Sequence, residues 1–279
     1  MSMYNAFSPA VTPPKTWSDK ALWFGFCAEK LLVKRREDTC CVPTVHDLET
    51  LGFNVIRQQY LGTLAGRPCF SAELDEHVKE LGGMQFVGLR QLYNRLDERQ
   101  FSLAGLAKQV VAWDSTHQFC GRCGVKTLGL PNERAKRCPQ CRLVNYPRLS
   151  PAVIVSIERG HELLLARANH FSTHLYSVLA GFVEPGETLE QAVEREVREE
   201  VDLRIKNVRY FGSQPWPFPN SLMVAFTADY AAGTIHIDPK EISEARWFAA
   251  DNFPQIPDKI SIARRLIDRF VEKQRANAS

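Results

Sequence analysis

The sequence predicts an α+β chain in which two folded regions flank a small cysteine-rich module. Three observations carry this. Short apolar runs of strand length alternate with amphipathic helical stretches on both sides of residues 116–146. The 279 residues suit about two domains at roughly 150 residues each. Four of the eight cysteines form two CxxC pairs near the middle of the chain. A hydrophobic share of 44% with 24% charged residues excludes wholesale disorder. A net charge of +3 is too slight to imply a nucleic-acid or membrane partner by itself.

Residues 1–18 are polar and carry Pro9, Pro13 and Pro14, without the basic-then-apolar pattern of a secretory signal. No apolar run approaches the roughly 18 residues that span a bilayer. A soluble, cytoplasmic protein with reduced thiols and no membrane partner is expected. Residues 21–26, 31–33 and 53–56 read as strands, punctuated by Leu51-Gly52 and Gly82-Gly83. Cys27, Cys40, Cys41 and Cys69 lie among them at no metal-like spacing and read as free thiols. Leu103, Leu106, Val110 and Trp113 recur at helical spacing and lead into the module. Beyond it, residues 152–157 and 162–166 form a hairpin around Arg159-Gly160. Further strands are expected at 175–179, 208–211, 222–230, 234–237 and 245–248, with a charged helix over 188–201. Ile262, Ala263, Leu266, Ile267, Phe270 and Val271 line one stripe of a closing helix. No internal repeat is visible. The expected domains are an N-terminal α+β domain (1–115), the module (116–146) and a C-terminal domain (147–279).

Cys120-Gly-Arg-Cys123 and Cys138-Pro-Gln-Cys141 are each a tight turn that aims two thiolates at one point. Two such turns complete the tetrahedral site preferred by Zn²⁺, and four sulfurs leave no position for a reactive water. One structural zinc per chain is the expectation, with His117 as a packing residue. Arg122, Lys126, Arg134, Lys136, Arg137 and Arg142 make the module basic. A solvated face and an RNA-binding face account for them equally.

Residues 188–201 are the most informative. On a helical wheel Leu189, Ala192, Val193, Val197 and Val201 form one apolar sector, with Glu194 and Arg198 opposite as a surface pair. Glu196 and Glu200 fall inside the apolar sector, one turn apart. Buried carboxylates are costly unless their charge is compensated, and a hard divalent cation compensates both. Glu199 borders the sector. Arg195 can orient these carboxylates, and Glu187 can orient Arg195.

The segment from Gly181 resembles the Nudix box, G-x5-E-x7-R-E-U-x-E-E-x-G-U, where U is aliphatic. Gly181, Glu187, Arg195, Glu196, Val197, Glu199, Glu200 and Leu203 match, and Asp202 stands where the pattern has Gly. That Gly ends the helix with positive φ, which Asp tolerates better than most residues. A small stability cost and intact chemistry are expected. The resemblance implies an α/β/α sandwich around a mixed sheet and hydrolysis of nucleoside diphosphate linkages. It also implies that Glu196, Glu199 and Glu200 hold Mg²⁺ or Mn²⁺, with Glu200 as general base or Glu199 in its place. Glu187 and Arg195 support the loop.

Ser213-Gln214-Pro215-Trp216-Pro217-Phe218-Pro219-Asn220-Ser221 follows. Alternating prolines stiffen a backbone that presents Gln, Trp and Phe. The residues alone allow a base-binding rim or a connection whose rings merely pack. The segment is similar to the signature of NADH pyrophosphatases, in which a four-cysteine ribbon precedes the Nudix domain. That resemblance implies cleavage of NAD(H) to NMN(H) and AMP, removal of NAD caps from RNA and a homodimer. It further implies that Gln214 to Ser221 (Pro215, Trp216, Pro217, Phe218, Pro219 and Asn220 between them) line the dinucleotide site. Phe182 is placed against a base, with Tyr146, Glu133, Arg90 and Ala263 as additional substrate residues, and Glu241 and the Ala180 backbone as further metal ligands. Two rivals remain: a Nudix enzyme for ADP-ribose or a nucleoside triphosphate, and a zinc-ribbon nucleic-acid-binding protein with a decayed catalytic domain. Residues 213–219 disfavour the first. Intact Glu187, Arg195, Glu196, Glu199 and Glu200 disfavour the second.

Overall fold

The computed structural model describes residues 6–17, 19–47, 52–75, 83–169 and 174–278. The chain divides into two compact units, Met1–Arg148 and Leu149–Ser279. Among the described residues no helix is long and apolar enough to cross a membrane. Gly52 and Gly83 take positive φ as their turns require, whereas Leu51 and Gly82 lie outside the described residues.

In the first unit a mixed sheet contains β1 (Phe7–Pro9), β2 (Leu22–Cys27), β3 (Lys30–Arg36), β4 (Thr39–Cys41), β5 (Val55–Leu64), β6 (Arg67–Leu74) and β7 (Met84–Gly88). The order is β1-β5-β6-β2-β3-β4, with β7 also on β3. Helix α1 (Glu98–Thr116) starts where the Asp97 carboxylate accepts from the Arg99 and Gln100 N–H groups. Short strands β8 (Leu128–Gly129), β9 (Lys136–Arg137) and β10 (Val144–Asn145) make the cysteine-rich module. A buried ion pair ties this module to α1. Lys136 Nζ meets the Asp114 carboxylate and donates to the Asp114 carbonyl at 2.8 Å. Gln59 and Gln118 donate to the same carboxylate.

In the second unit β11 (Ser150–Arg159) runs parallel to β15 (Ser221–Ala232) and antiparallel to β12 (Glu162–Ala168) and β13 (Leu179–Phe182). Strands β14 (Arg204–Trp216) and β16 (Ile242–Ala249) stand at the two edges. Alternation along β11 sorts its side chains. Val153, Val155 and Ile157 pack with Ala192, Val193, Val197 and Val201 of α2 (Leu189–Val201). Ile154 faces the other way, with Ile262, Ala263, Leu266, Ile267 and Phe270 of α3 (Ile262–Ala278). The result is a helix–sheet–helix sandwich. Each of the buried Val, Ile, Leu and Phe side chains among them contributes about 1.5–3 kcal/mol. Buried Glu158 fastens α3 to β11 by accepting from Arg269 and Lys273.

Several sequence expectations change. Residues 175–178 make only isolated bridges, and the strand begins at Leu179. Residues 234–237 are not a strand: the His236 N–H donates to the Val201 carbonyl and the Asp238 N–H to the Glu200 carbonyl, closing the C-terminus of α2. Strand β14 extends through Trp216, so residues 213–216 are paired strand rather than a free rim. Its edge position tolerates Pro215, which has no N–H to offer. Glu194 and Arg198 are both exposed and form no ion pair among the described residues.

The two units also repeat one another in topology, which the sequence had not revealed. The order β5-β6-β2-β3 matches β14-β15-β11-β12, with the same parallel central pair. Equivalent hairpins turn on left-handed Ala28 (φ 50°) and Gly160 (φ 61°). Tyr60 pairs with Phe70, and Tyr210 with Phe226. In both cases a register shift follows before the next glycine, Gly62 or Gly212.

Candidate active site and structural metal centre

The sulfur atoms of Cys120, Cys123, Cys138 and Cys141 all lie within 4.8 Å of one another. Cys120–Cys141 are 3.5 Å apart and Cys123–Cys138 3.4 Å, near the ~3.8 Å edge of a tetrahedron with 2.3 Å Zn–S bonds. The turns are built alike. The Cys120 N–H donates to the Val125 carbonyl and the Cys138 N–H to the Leu143 carbonyl. Gly124 and Arg142, each following the second cysteine, have φ of 74° and 62°. Backbone N–H groups of Arg122 and Cys141 point at the sulfurs of Cys120 and Cys138 and pull both thiols below their usual range, Cys138 to about 6. This donor set fits zinc. His117 stays outside, bonded to the Trp113 carbonyl at 2.9 Å. Burial pushes the Cys69 thiol up to about 11 and leaves it inert.

Helix α2 opens with a capping box, in which the Thr188 side chain and Gln191 satisfy each other's backbone N–H groups. It closes at Asp202 in left-handed geometry, φ 55°. Between these ends, Glu196 is 8% exposed and Glu200 is 6% exposed. Glu190 and Glu194 face solvent.

Arg195 organises the cluster with all five of its N–H groups. Nε and Nη2 grip Glu187 at 2.6 and 3.0 Å. Nη1 reaches Glu196 at 2.9 Å and Glu199 at 2.8 Å, and Nη2 also donates to the Phe182 carbonyl. Glu187 is thereby held below the usual carboxylate range, helped by the Glu184 N–H. Burial outweighs Arg195 at Glu196, whose carboxyl is raised.

Glu200 receives no such help. Its Oε2 is buried without a hydrogen-bond partner. Burial first, then repulsion from Glu196, Glu241 and Glu199, pushes its carboxyl up to about 8. Glu241 reaches this neighbourhood because Asp238, three residues earlier, is bonded to the end of α2. An orphaned buried carboxylate oxygen that feels three more carboxylates has the chemistry a hard divalent cation suits, although among the described residues only the four cysteines already lie within 4.8 Å of one another.

Gly181 sits against this cluster: a Cβ there would come within 1.9 Å of the Glu196 carboxylate. Its neighbour Ala180 lies in β13 opposite Ile154.

The substrate residues expected from the sequence fall into two groups. In the second unit, β14 and β15 form a hairpin turning at Pro217–Asn220, with Trp216 and Phe218 packed edge to face at 5.1 Å. Ser221 is buried opposite Trp216, and Ser150 donates to Asn220. Phe182 is 56% exposed, and Ala263 is buried in the first turn of α3. In the first unit, Tyr146 donates to Glu133 at 3.0 Å in the module, and Arg90 lies in the short turn Leu89–Leu92. The sequence reading missed the contact role of Gly181, the anchoring of Glu241 through Asp238, and the Lys136–Asp114 pair. The box glycine was the one available signal among these.

Comparison with known proteins adds three family matches: the NUDIX domain over residues 147–270, the NADH pyrophosphatase-like rudimentary NUDIX domain over 20–113, and the NADH pyrophosphatase zinc ribbon domain over 115–146. The NAD-capped RNA hydrolase NudC of Stutzerimonas stutzeri is 47% identical over 227 residues, 81% of this chain and 82% of its own. The protein of that name from Deinococcus radiodurans is 46% identical over 252 residues, 89% and 86% of the two chains.

Proposed function

This chain belongs to the Nudix hydrolases of the NADH pyrophosphatase type, and on that premise we propose that it hydrolyses the pyrophosphate of NAD(H) to NMN(H) and AMP. We infer that it also removes NAD caps from RNA, releasing NMN and leaving a 5′-monophosphate. The observation that carries the reaction class is the buried, unpartnered Glu200 beside carboxylates gathered by Arg195. The substrate follows from residues 213–221 and from the activity named for the relatives.

Glu196, Glu199, Glu200 and Glu241, with the Ala180 carbonyl, would hold Mg²⁺ or Mn²⁺. Such an ion neutralises phosphate oxygens and acidifies water. Glu200 takes the proton of the attacking water as its oxygen bonds to one phosphorus and the bridging P–O bond breaks. Arg195, held by Glu187, keeps the carboxylates aimed. Phe182, Gln214 to Ser221 and Ala263 bind the dinucleotide, and Glu133, Tyr146 and Arg90 of the first unit are separate substrate candidates. The zinc ribbon, residues 116–146, is structural and separates an N-terminal domain (1–115) from the catalytic domain (147–279). We expect a cytoplasmic homodimer. Light scattering after gel filtration tests this, and a monomer at micromolar concentration counts against it.

The deciding experiment measures kcat/KM on NADH, ADP-ribose and NAD-capped RNA with each metal. NADH and capped RNA should exceed ADP-ribose. The reverse order would leave Nudix chemistry intact and remove the substrate assignment.

A further inference from the structure

Glu241 sits on a loop, and a single side chain from outside the loop bonds its carbonyls in a row. Asn169 directly follows β12. Its Nδ2 donates to the Pro239 and Lys240 carbonyls, both at 2.9 Å, and its backbone N–H donates to the Glu241 carbonyl at 2.8 Å. Both N–H donors of the amide are used, on carbonyls that only a donor can satisfy. Asp238 closes the same turn from within. Its Oδ1 accepts from the Lys240 N–H, and its carbonyl accepts from the Glu241 and Ile242 N–H groups. Its own N–H goes to the Glu200 carbonyl. The loop is therefore fixed at one end to α2 and at the other to β12.

The strand that leaves this loop is re-aimed as well. Arg167 pairs with Glu244 but Ala168 pairs with Ile242, so Ser243 is an extra residue on β16. The Ser243 hydroxyl donates to the Arg167 carbonyl at 2.9 Å and secures the bulge. Residues two apart on a regular strand point the same way. Here they do not. Glu244 accepts from Tyr176, which packs in the α3 core, whereas Ile242 packs in the α2 core. The bulge thus turns the chain before Ser243 toward the side of the sheet that carries Glu196 and Glu200. The charge of Glu241 bears on both of these glutamates.

We propose that Asn169 is a positioning residue for divalent-cation binding: by bonding the Pro239 and Lys240 carbonyls it keeps Glu241 within reach of an ion shared with the glutamates of α2. This rests on the reading of Glu241 as a metal ligand given above. Removing the two side-chain bonds leaves the Glu241 carboxylate chemically intact but no longer placed. The loss should fall on affinity for the ion and spare affinity for the dinucleotide.

The test is a double-mutant cycle read by calorimetric titration of Mn²⁺ into the zinc-loaded, full-length protein without substrate. Asn169→Ala should raise the Mn²⁺ dissociation constant about fivefold or more, the effect of two lost hydrogen bonds. In the Glu241→Gln background the same substitution should change it by less than about twofold, because the group it positions is gone. With Mn²⁺ saturating, KM for NADH should stay within about twofold of wild type. Asn169→Ser keeps one donor, should fall between, and serves if the alanine variant does not fold. Equal losses of Mn²⁺ affinity in both backgrounds would mean that Asn169 acts on the fold at large, and would overturn the proposal. Unchanged Mn²⁺ affinity, with or without a raised KM, would overturn it too. If Glu241→Gln alone leaves Mn²⁺ affinity unaltered, the reading of Glu241 as a ligand falls and this proposal falls with it. If Glu241→Gln weakens Mn²⁺ binding and Asn169→Ala does not, this proposal alone is wrong.

Discussion

Glu200 in α2 and Asp202 at its C-cap separate chemistry from stability. Glu200 is buried, uncompensated and crowded by like charge. Glu200→Gln should lower kcat by about 10²–10⁴-fold, the usual contribution of a general base. It should also raise the melting temperature of the metal-free protein at neutral pH, because folding no longer has to protonate a carboxyl that is ionised in the unfolded chain. Steady-state kinetics with calorimetry checks both, and near-normal turnover would remove Glu200 from its role. Asp202 is the opposite case: it occupies left-handed backbone where glycine is unstrained. Its partner His236 is 3.5 Å away with both side chains largely exposed, a pair of little worth. Asp202→Gly should therefore stabilise the protein by about 0.5–1 kcal/mol in urea melts and leave kcat unaltered.

At the scale of the element, α2 acts as a charge trap whose state depends on pH. The folded Glu200 carboxyl sits at about 8 against an ordinary 4.5. The folded chain therefore binds this proton more tightly than the unfolded chain. Between about pH 4.5 and 8 the metal-free protein loses stability as pH rises. Added Mg²⁺ or Mn²⁺ should offset that loss while displacing the proton. The metal-induced rise in melting temperature should be larger near pH 8 than near pH 6, and equal shifts would count against the carboxylate site. This helix was legible in the sequence because two glutamates broke an otherwise apolar stripe. The segment at 234–237 was misread for a related reason. Ile235 and Ile237 do alternate toward the α2 core, but the backbone N–H groups beside them serve the helix end instead of a ladder. The strand through Pro215 was hidden because proline argues against strand except at an edge, and edges are set by topology.

For the whole molecule, the four-cysteine site should tie the stability of the first unit to a bound zinc. The ribbon's strands are two residues each, too short to fold without a staple. Removing zinc with a chelator, or Cys138→Ser, should destabilise residues 1–148 by several kcal/mol. Hydrogen exchange should rise first in the ribbon and then at the α1 end, where Lys136 meets Asp114. Unchanged protection there would deny zinc its structural role. The CxxC pairs declared this module outright, because ligand spacing is local. The shared topology of the two units was not legible: what persists between them is hairpin length, left-handed turn positions and a shifted tyrosine–phenylalanine pair, none of which needs many identical residues.

The thirteen-residue strand β14 has a consequence for handling the protein. A long sheet edge is a template for unwanted pairing between molecules. This one carries exposed Arg204, Lys206 and Arg209, a proline and three register irregularities, the features that discourage such stacking. Replacing Lys206 and Arg209 with valine should turn a soluble preparation into one that forms aggregates on warming, visible as light scattering below the melting temperature. The edge that carries the hairpin at residues 217–220 is thus also where charge and irregularity discourage stacking of one molecule on another.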